Sequence, residues 1–131
     1  MTQLPHVLKR IRLELARSKD FPNGSATHGY EFVAPLDANA HIDPALWQQY
    51  REHCGVHRFW GDEDEFGRLL HKPGGADHSR WVFDYDETAE YDDEAGYRFG
   101  VHAFNPGEYV SIRDEDGNMH TFRVISVNPA T

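Results

Sequence analysis

The sequence predicts a mainly β (or α+β) fold: a small antiparallel β-barrel or open sandwich of about six to eight strands with one capping helix near residues 44–54. Three observations carry this. Short aromatic and β-branched runs recur from Val56 onward (VHRFW, GRLLHK, RWVFDYD, GYRFGVHAF, EYVSI, HTFRVISV), separated by Gly, Pro and Asp clusters. Inside them apolar residues alternate with polar ones, as in Trp81, Phe83 and Tyr85 and then Tyr97, Phe99, Val101 and Ala103, the period of half-buried strands. Only one segment combines a helical start, a helical apolar face and a helical stop.

Taken in order, Arg10–Leu15 alternates without a break and puts Ile11, Leu13 and Leu15 on one face of a strand. Leu4, Leu8, Ile11 and Leu15 also match a helical stripe, so residues 7–17 carry both signals, and the strand is the reading taken. FPNGS at 21–25 is turn chemistry, after which Tyr30, Phe32, Ala34 and Leu36 share one side of a second strand. Pro35 suggests an edge position there, because it cannot donate to a ladder. Asp43-Pro44 is an N-cap and first-turn pair. Leu46, Trp47, Tyr50 and Cys54 then fall on one helical face, and Gly55 can end the helix. At the other end of the chain Pro106-Gly107 starts a strand, Asp116-Gly117 suits a type I′ turn, and Phe122 and Val124 supply one face of the return strand. The expected core is Phe32, Leu36, Leu46, Trp47, Trp60, Trp81, Phe83, Phe99, Val110, Ile112, Phe122 and Val124.

At 131 residues the chain suits a single domain spanning 1–131. Mean hydropathy is −0.71, so the core leans on the three Trp, six Tyr and eight Phe, a content at odds with disorder. The net charge of −9 repels a phosphate backbone and argues against nucleic-acid binding. The charge is uneven: residues 1–20 carry +3 and the remainder −12. No apolar run is long enough to span a bilayer and no secretory apolar segment follows Met1, which reads as soluble and cytoplasmic, without membrane association. A lone cysteine, Cys54, asks for no oxidising compartment.

If the later strands form a meander, alternate connections share an end of the sheet. GDEDE at 61–65, the stretch 84–96 and DEDGN at 114–118 then gather carboxylates at one mouth, while His71, His78 and His102 gather at the other. Seven acidic residues among 84–94 with no Lys or Arg suit either a solvated rim or a hard cation such as Ca²⁺. The sequence after Asp114 departs from an EF-hand loop, with Ile125 where a bidentate Glu belongs. The histidines suit a transition metal, with His120 or His57 as a further ligand, although no HxH, HExxH or CxxC occurs. Cys54, beside His53 and near a helix C-terminus, faces the wrong end of the helix dipole for a thiolate and reads as a core or rim cysteine. No GxSxG, P-loop or GxGxxG motif is present.

FNPGEYVSI at 104–112 followed by RVIS at 123–126 resembles the F-x-P-G-x-Y-V-x-I and R-x-Y-S elements of ferredoxin-reductase-type flavin domains, with Ile125 replacing the aromatic. The resemblance implies that Arg123 and Ser126 face a flavin. GEYVSI at 107–112 with Gly117 and HTFRV at 120–124 also resembles the second motif of cupins, metal-binding β-barrels. It implies a metal held by His120, to which the notion of an open metal site adds His102 and Glu108 as partners. Two families share one segment, so the segment specifies a hairpin before it specifies a chemistry. The function expected is a non-catalytic binding module for a small molecule or a protein partner, whose identity the sequence leaves open. The alternative is a cupin-like small barrel enzyme using a metal or other cofactor. A homodimer is a candidate assembly, because uncovered strand edges invite pairing.

Overall fold

A strand with one buried face needs its apolar side chains at every second position, and the chain supplies this repeatedly. The computed structural model describes residues 7–72, 80–85, 94–97, 102–114 and 117–130, with the side chains of residues 80 and 94–97 outside the description. Its strands are β1 (Leu8–Leu15), β2 (Ser25–Pro35), β3 (Gly55–Trp60), β4 (Glu63–Lys72), β5 (Arg80–Asp84), β6 (Glu94–Tyr97), β7 (Tyr109–Arg113) and β8 (Met119–Pro129); one helix, α1 (Pro44–Tyr50), extends into a 3-10 turn at Arg51–His53. Each strand pairs antiparallel with its sequence neighbour, and β8 pairs back onto β1, closing an up-and-down barrel. The ladder is thinnest around β6, with three residue pairs on each side. Among the described residues every strand has a neighbour on each side, although β4 pairs with β5 only from Arg68 onward.

Within residues 7–17 the strand reading holds over Leu8–Leu15. Leu8, Ile11, Leu13 and Leu15 are buried, and a helix there would forfeit the ladders that β1 forms on both sides. Pro35 is the last residue of β2, beyond the reach of β3, whose pairing stops at Phe32 opposite Val56. Its missing N–H therefore costs no ladder bond, although it lies on no true edge. Near the start of the β1–β2 ladder the register slips between Glu14 and Leu15. Gly29 sits at that slip, where a Cβ would fall within 2.0 Å of the Leu13 carbonyl oxygen; only a glycine lets the two backbones approach so closely.

The barrel is filled. Tyr30, Phe32, Phe83, Phe104 and Phe122 are all but inaccessible to solvent and touch in sequence: Phe122 to Tyr30 at 5.1 Å, Tyr30 to Phe83 at 5.0 Å, Phe83 to Phe32 at 5.2 Å and Phe32 to Phe104 at 5.8 Å between centroids. Offset and edge contacts of this kind add to the burial of the rings themselves. Of the expected core, Leu46 and Trp60 are half-buried and Phe99 lies outside the described residues, as do His78, Val101, Asp116 and residues 86–93; all the others are buried.

One end of the barrel is closed by the β2–β3 connection. Asp43 caps α1 by accepting from Ala45 N–H at 3.0 Å and Leu46 N–H at 3.2 Å, which satisfies two of the helix's orphan donors. That fixes Trp47, whose indole N–H donates to the Leu69 carbonyl at 2.9 Å and whose ring meets Trp81 at 5.6 Å. Leu36 and Ile42 bridge beside it, and Phe104 N–H donates to Ala40 O, tying the β6–β7 connection to the same plug. The strand order follows the meander, so residues 61–62, 85, 114 and 117–118 share the opposite end, together with residues 16–24.

Candidate functional site

The second end, away from α1, gathers inward-facing polar and aromatic groups above the ring column. Alternation along β3 sends Val56, Arg58 and Trp60 inward, and the register sets His28 of β2 opposite Trp60 and His120 of β8 opposite buried Ile112. Three strands thus deliver His28, Trp60 and His120 to one mouth. The His28 ring stands edge-on to the indole at 4.8 Å, and His120 meets it at 5.7 Å. The Arg58 guanidinium lies 4.6 Å from the indole centroid, a cation–π contact. Phe21, from the β1–β2 connection, leans on His28 at 4.7 Å, and Phe122 forms the floor, 6.4 Å from Trp60.

Each imidazole is oriented by a partner of its own. His28 Nδ1 is 2.7 Å from Ser25 Oγ, and His120 Nε2 is 2.9 Å from Asp114 Oδ2. Asp114 is itself held by the hairpin turn: its N–H donates to Asn118 O, its Oδ1 accepts from Asn118 N–H, and Gly117 N–H donates to its carbonyl. The turn bond spans 114 to 117, and Gly117 takes φ 86°, one position later in the turn than the expected two-residue loop would place it. A hydroxyl, an imidazole and a carboxylate are all present, yet the serine and the carboxylate serve different imidazoles. The relay of a nucleophilic triad needs one imidazole bonded to both.

The metal-ligating set expected from the sequence is not brought together. His120 lies at the open mouth near the start of β8, whereas Glu108 is exposed just before β7 and His102 is half-buried in the β6–β7 connection, both toward the plugged end. The β7–β8 hairpin runs antiparallel, which separates the residue before its first strand from the residue opening its second. Among the described residues no group of three His, Cys, Asp or Glu side chains stands close enough to hold a metal. Nor does His71 join them: it stacks on Trp81 at 4.2 Å beneath Trp47, where burial lowers its pKa. His57 points outward, bonded to Asp64 at 2.7 Å and stacked on Phe66 at 4.5 Å. Cys54 is fully buried, and desolvation pushes its thiol up to about 12.

Arg123 and Ser126 both lie on the outer face of β8, where the register slips opposite Arg12 and Leu13 and leaves Ile125 as the extra, exposed residue. The up-and-down strand order also differs from the two-sheet jelly roll of cupins, so that resemblance stays confined to the hairpin. Sequence reading missed His28 and Trp60 as a pair at the mouth. The signal was present, since period-two alternation places His28 with Tyr30 and Phe32, and Trp60 with Val56. No helix among the described residues is long and apolar enough to cross a membrane. Comparison with family models, with curated proteins and with solved structures finds no match to this chain.

Proposed function

We propose that the protein is a cytoplasmic, non-catalytic binding module that takes a small planar ligand at the open mouth of its barrel. The observation that carries this reading is the pair of imidazoles, each oriented by its own partner, flanking the half-buried Trp60 above a column of packed rings. A filled interior directs a ligand to the mouth rather than the lumen. There the indole and Arg58 offer stacking surfaces, and His28 and His120 offer nitrogen donors or acceptors for the edge of a ring. A single buried thiol suits a reducing compartment.

The test is an amide-resolved NMR screen of the purified protein against planar heteroaromatic fragments, with native mass spectra of the fresh protein recorded alongside. Binding fragments, or a retained ligand, are expected to shift the amides of His28, Trp60 and His120, and Trp60→Ala should abolish the response. A screen that leaves those three amides unmoved, with no retained mass, removes the reading.

A further inference from the structure

A second concave surface lies outside the barrel, where the flank of β1, β7 and β8 meets the β1–β2 connection; it borders Ser25, the partner of His28, but contains none of the ring groups of the mouth. It is an open groove of about 350 Å³ whose chemistry comes from Glu14, Arg17, Asn23, Tyr109, Arg123 and Ile125, within the size range of small-molecule sites. Tyr109 and Arg123 are direct cross-strand partners, and Arg123 is also paired in register with Glu14 on its other side. The carboxylate set opposite Arg123 is engaged elsewhere: Arg12 Nε donates to Glu14 Oε2 at 2.8 Å. Arg17 donates its Nε to the Pro22 carbonyl. Among the described residues neither Arg17 nor Arg123 has a carboxylate partner.

In a chain of net charge −9, two guanidiniums left without carboxylates around one concavity are an unmet demand for an anion. Guanidinium forks match carboxylate and phosphate oxygens bidentately. Beside them Tyr109 and Ile125 are exposed at 56% and 39%, two of the four large apolar side chains exposed in this way among the described residues. Alternation along β8 puts Ile125 outward next to Arg123, and the register slip leaves it unpaired with β1, so apolar and cationic surfaces meet at one place. We infer that this groove binds a small organic anion: a carboxylate or phosphate head held by Arg123 and Arg17, joined to a flat apolar body resting on Tyr109 and Ile125.

The experiment is titration of the full chain with 3-phenylpropionate and phenyl phosphate, followed by amide-resolved NMR, with inorganic phosphate and benzyl alcohol as head-only and body-only probes. Saturable shifts are expected at Gly24, Tyr109, Arg123 and Ile125 with at least one aryl anion, weakening as salt is added. The stronger aryl anion reports whether the head is carboxylate or phosphate. Arg123→Ala should weaken binding about tenfold or more, Arg123→Lys should retain part of it, and Tyr109→Ala should weaken the aryl anions without changing inorganic phosphate. Arg10→Ala, on neighbouring β1 but away from the groove, should bind as the wild type does; Arg123 is exposed, so a dispersed spectrum of its variants shows that they fold. Wild-type affinity in Arg123→Ala, equal binding of benzyl alcohol, or no saturable shift at the groove amides with either aryl anion overturns the inference. Because the mouth reports through residues 28, 60 and 120, failure here is distinguishable from failure there.

Discussion

Cys54 shows how a chemically reactive residue becomes a packing element. Its side chain is inaccessible to solvent, and its Sγ donates to the Tyr50 carbonyl at 3.5 Å, at the point where the 3-10 turn gives way to β3. Burial favours the neutral thiol, so the folded pKa of about 12 stands above the unfolded value of about 8.5. A group whose pKa rises on folding contributes stability that is fully present below the unfolded value and is lost as pH climbs toward the folded one. Urea unfolding of the wild type and of Cys54→Ala should therefore converge in stability as pH is raised from 7 to about 11, at up to ~1.4 kcal/mol per pH unit. A difference that stays constant across that range would show that the thiol does not titrate on unfolding. At this scale the sequence was half legible. The dipole argument against a thiolate agrees with the burial found, and His120 was singled out, though as a metal ligand rather than as one side of an aromatic mouth. Its partner Asp114 was read as one carboxylate of an acidic mouth and the start of an EF-hand-like loop, because the bond between them closes across a hairpin whose register the sequence leaves open.

Elements were legible where period and punctuation agreed. Asp43-Pro44 located α1, and alternation located β1, β2, β5 and β8. The start of β4 was not legible: Glu63, Asp64 and Glu65 read as loop yet form strand opposite Trp60, Phe59 and Arg58, since a two-residue turn extends the ladder whatever the side chains are. Gly29 is the sharpest case of a backbone requirement hidden from pattern. It faces Glu14 in register at the slip of the β1–β2 ladder, and its hypothetical Cβ meets backbone rather than a movable side chain. Relief then requires the strands to separate. Gly29→Ala should destabilise by about 1–3 kcal/mol, read as a lower urea midpoint with an unchanged slope. It should also move the amides of Leu13 and Glu14 while leaving α1 undisturbed. A neutral substitution would mean that the close approach is not a feature of the folded chain.

For the whole molecule, the topology separates local from distant contacts cleanly. Seven of the eight pairings join neighbours in sequence, and the eighth, β1 with β8, sets Ile11 opposite Val127 across nearly the whole chain. Closing so long a loop costs chain entropy before its contacts give anything back, and non-local pairing slows folding. The seam should therefore form late, after the β7–β8 hairpin. Val127 reports on the seam alone, because the β7 ladder ends at Tyr109 opposite Arg123 and reaches no further along β8. Ile112 is buried within the hairpin, opposite His120. In stopped-flow experiments Val127→Ala should act mainly by accelerating unfolding, whereas Ile112→Ala should slow refolding, as expected for contacts formed after and before the transition state respectively. If Val127→Ala slows refolding as much as Ile112→Ala does, for equal loss of stability, the terminal strands meet early, and the barrel closes as its first step.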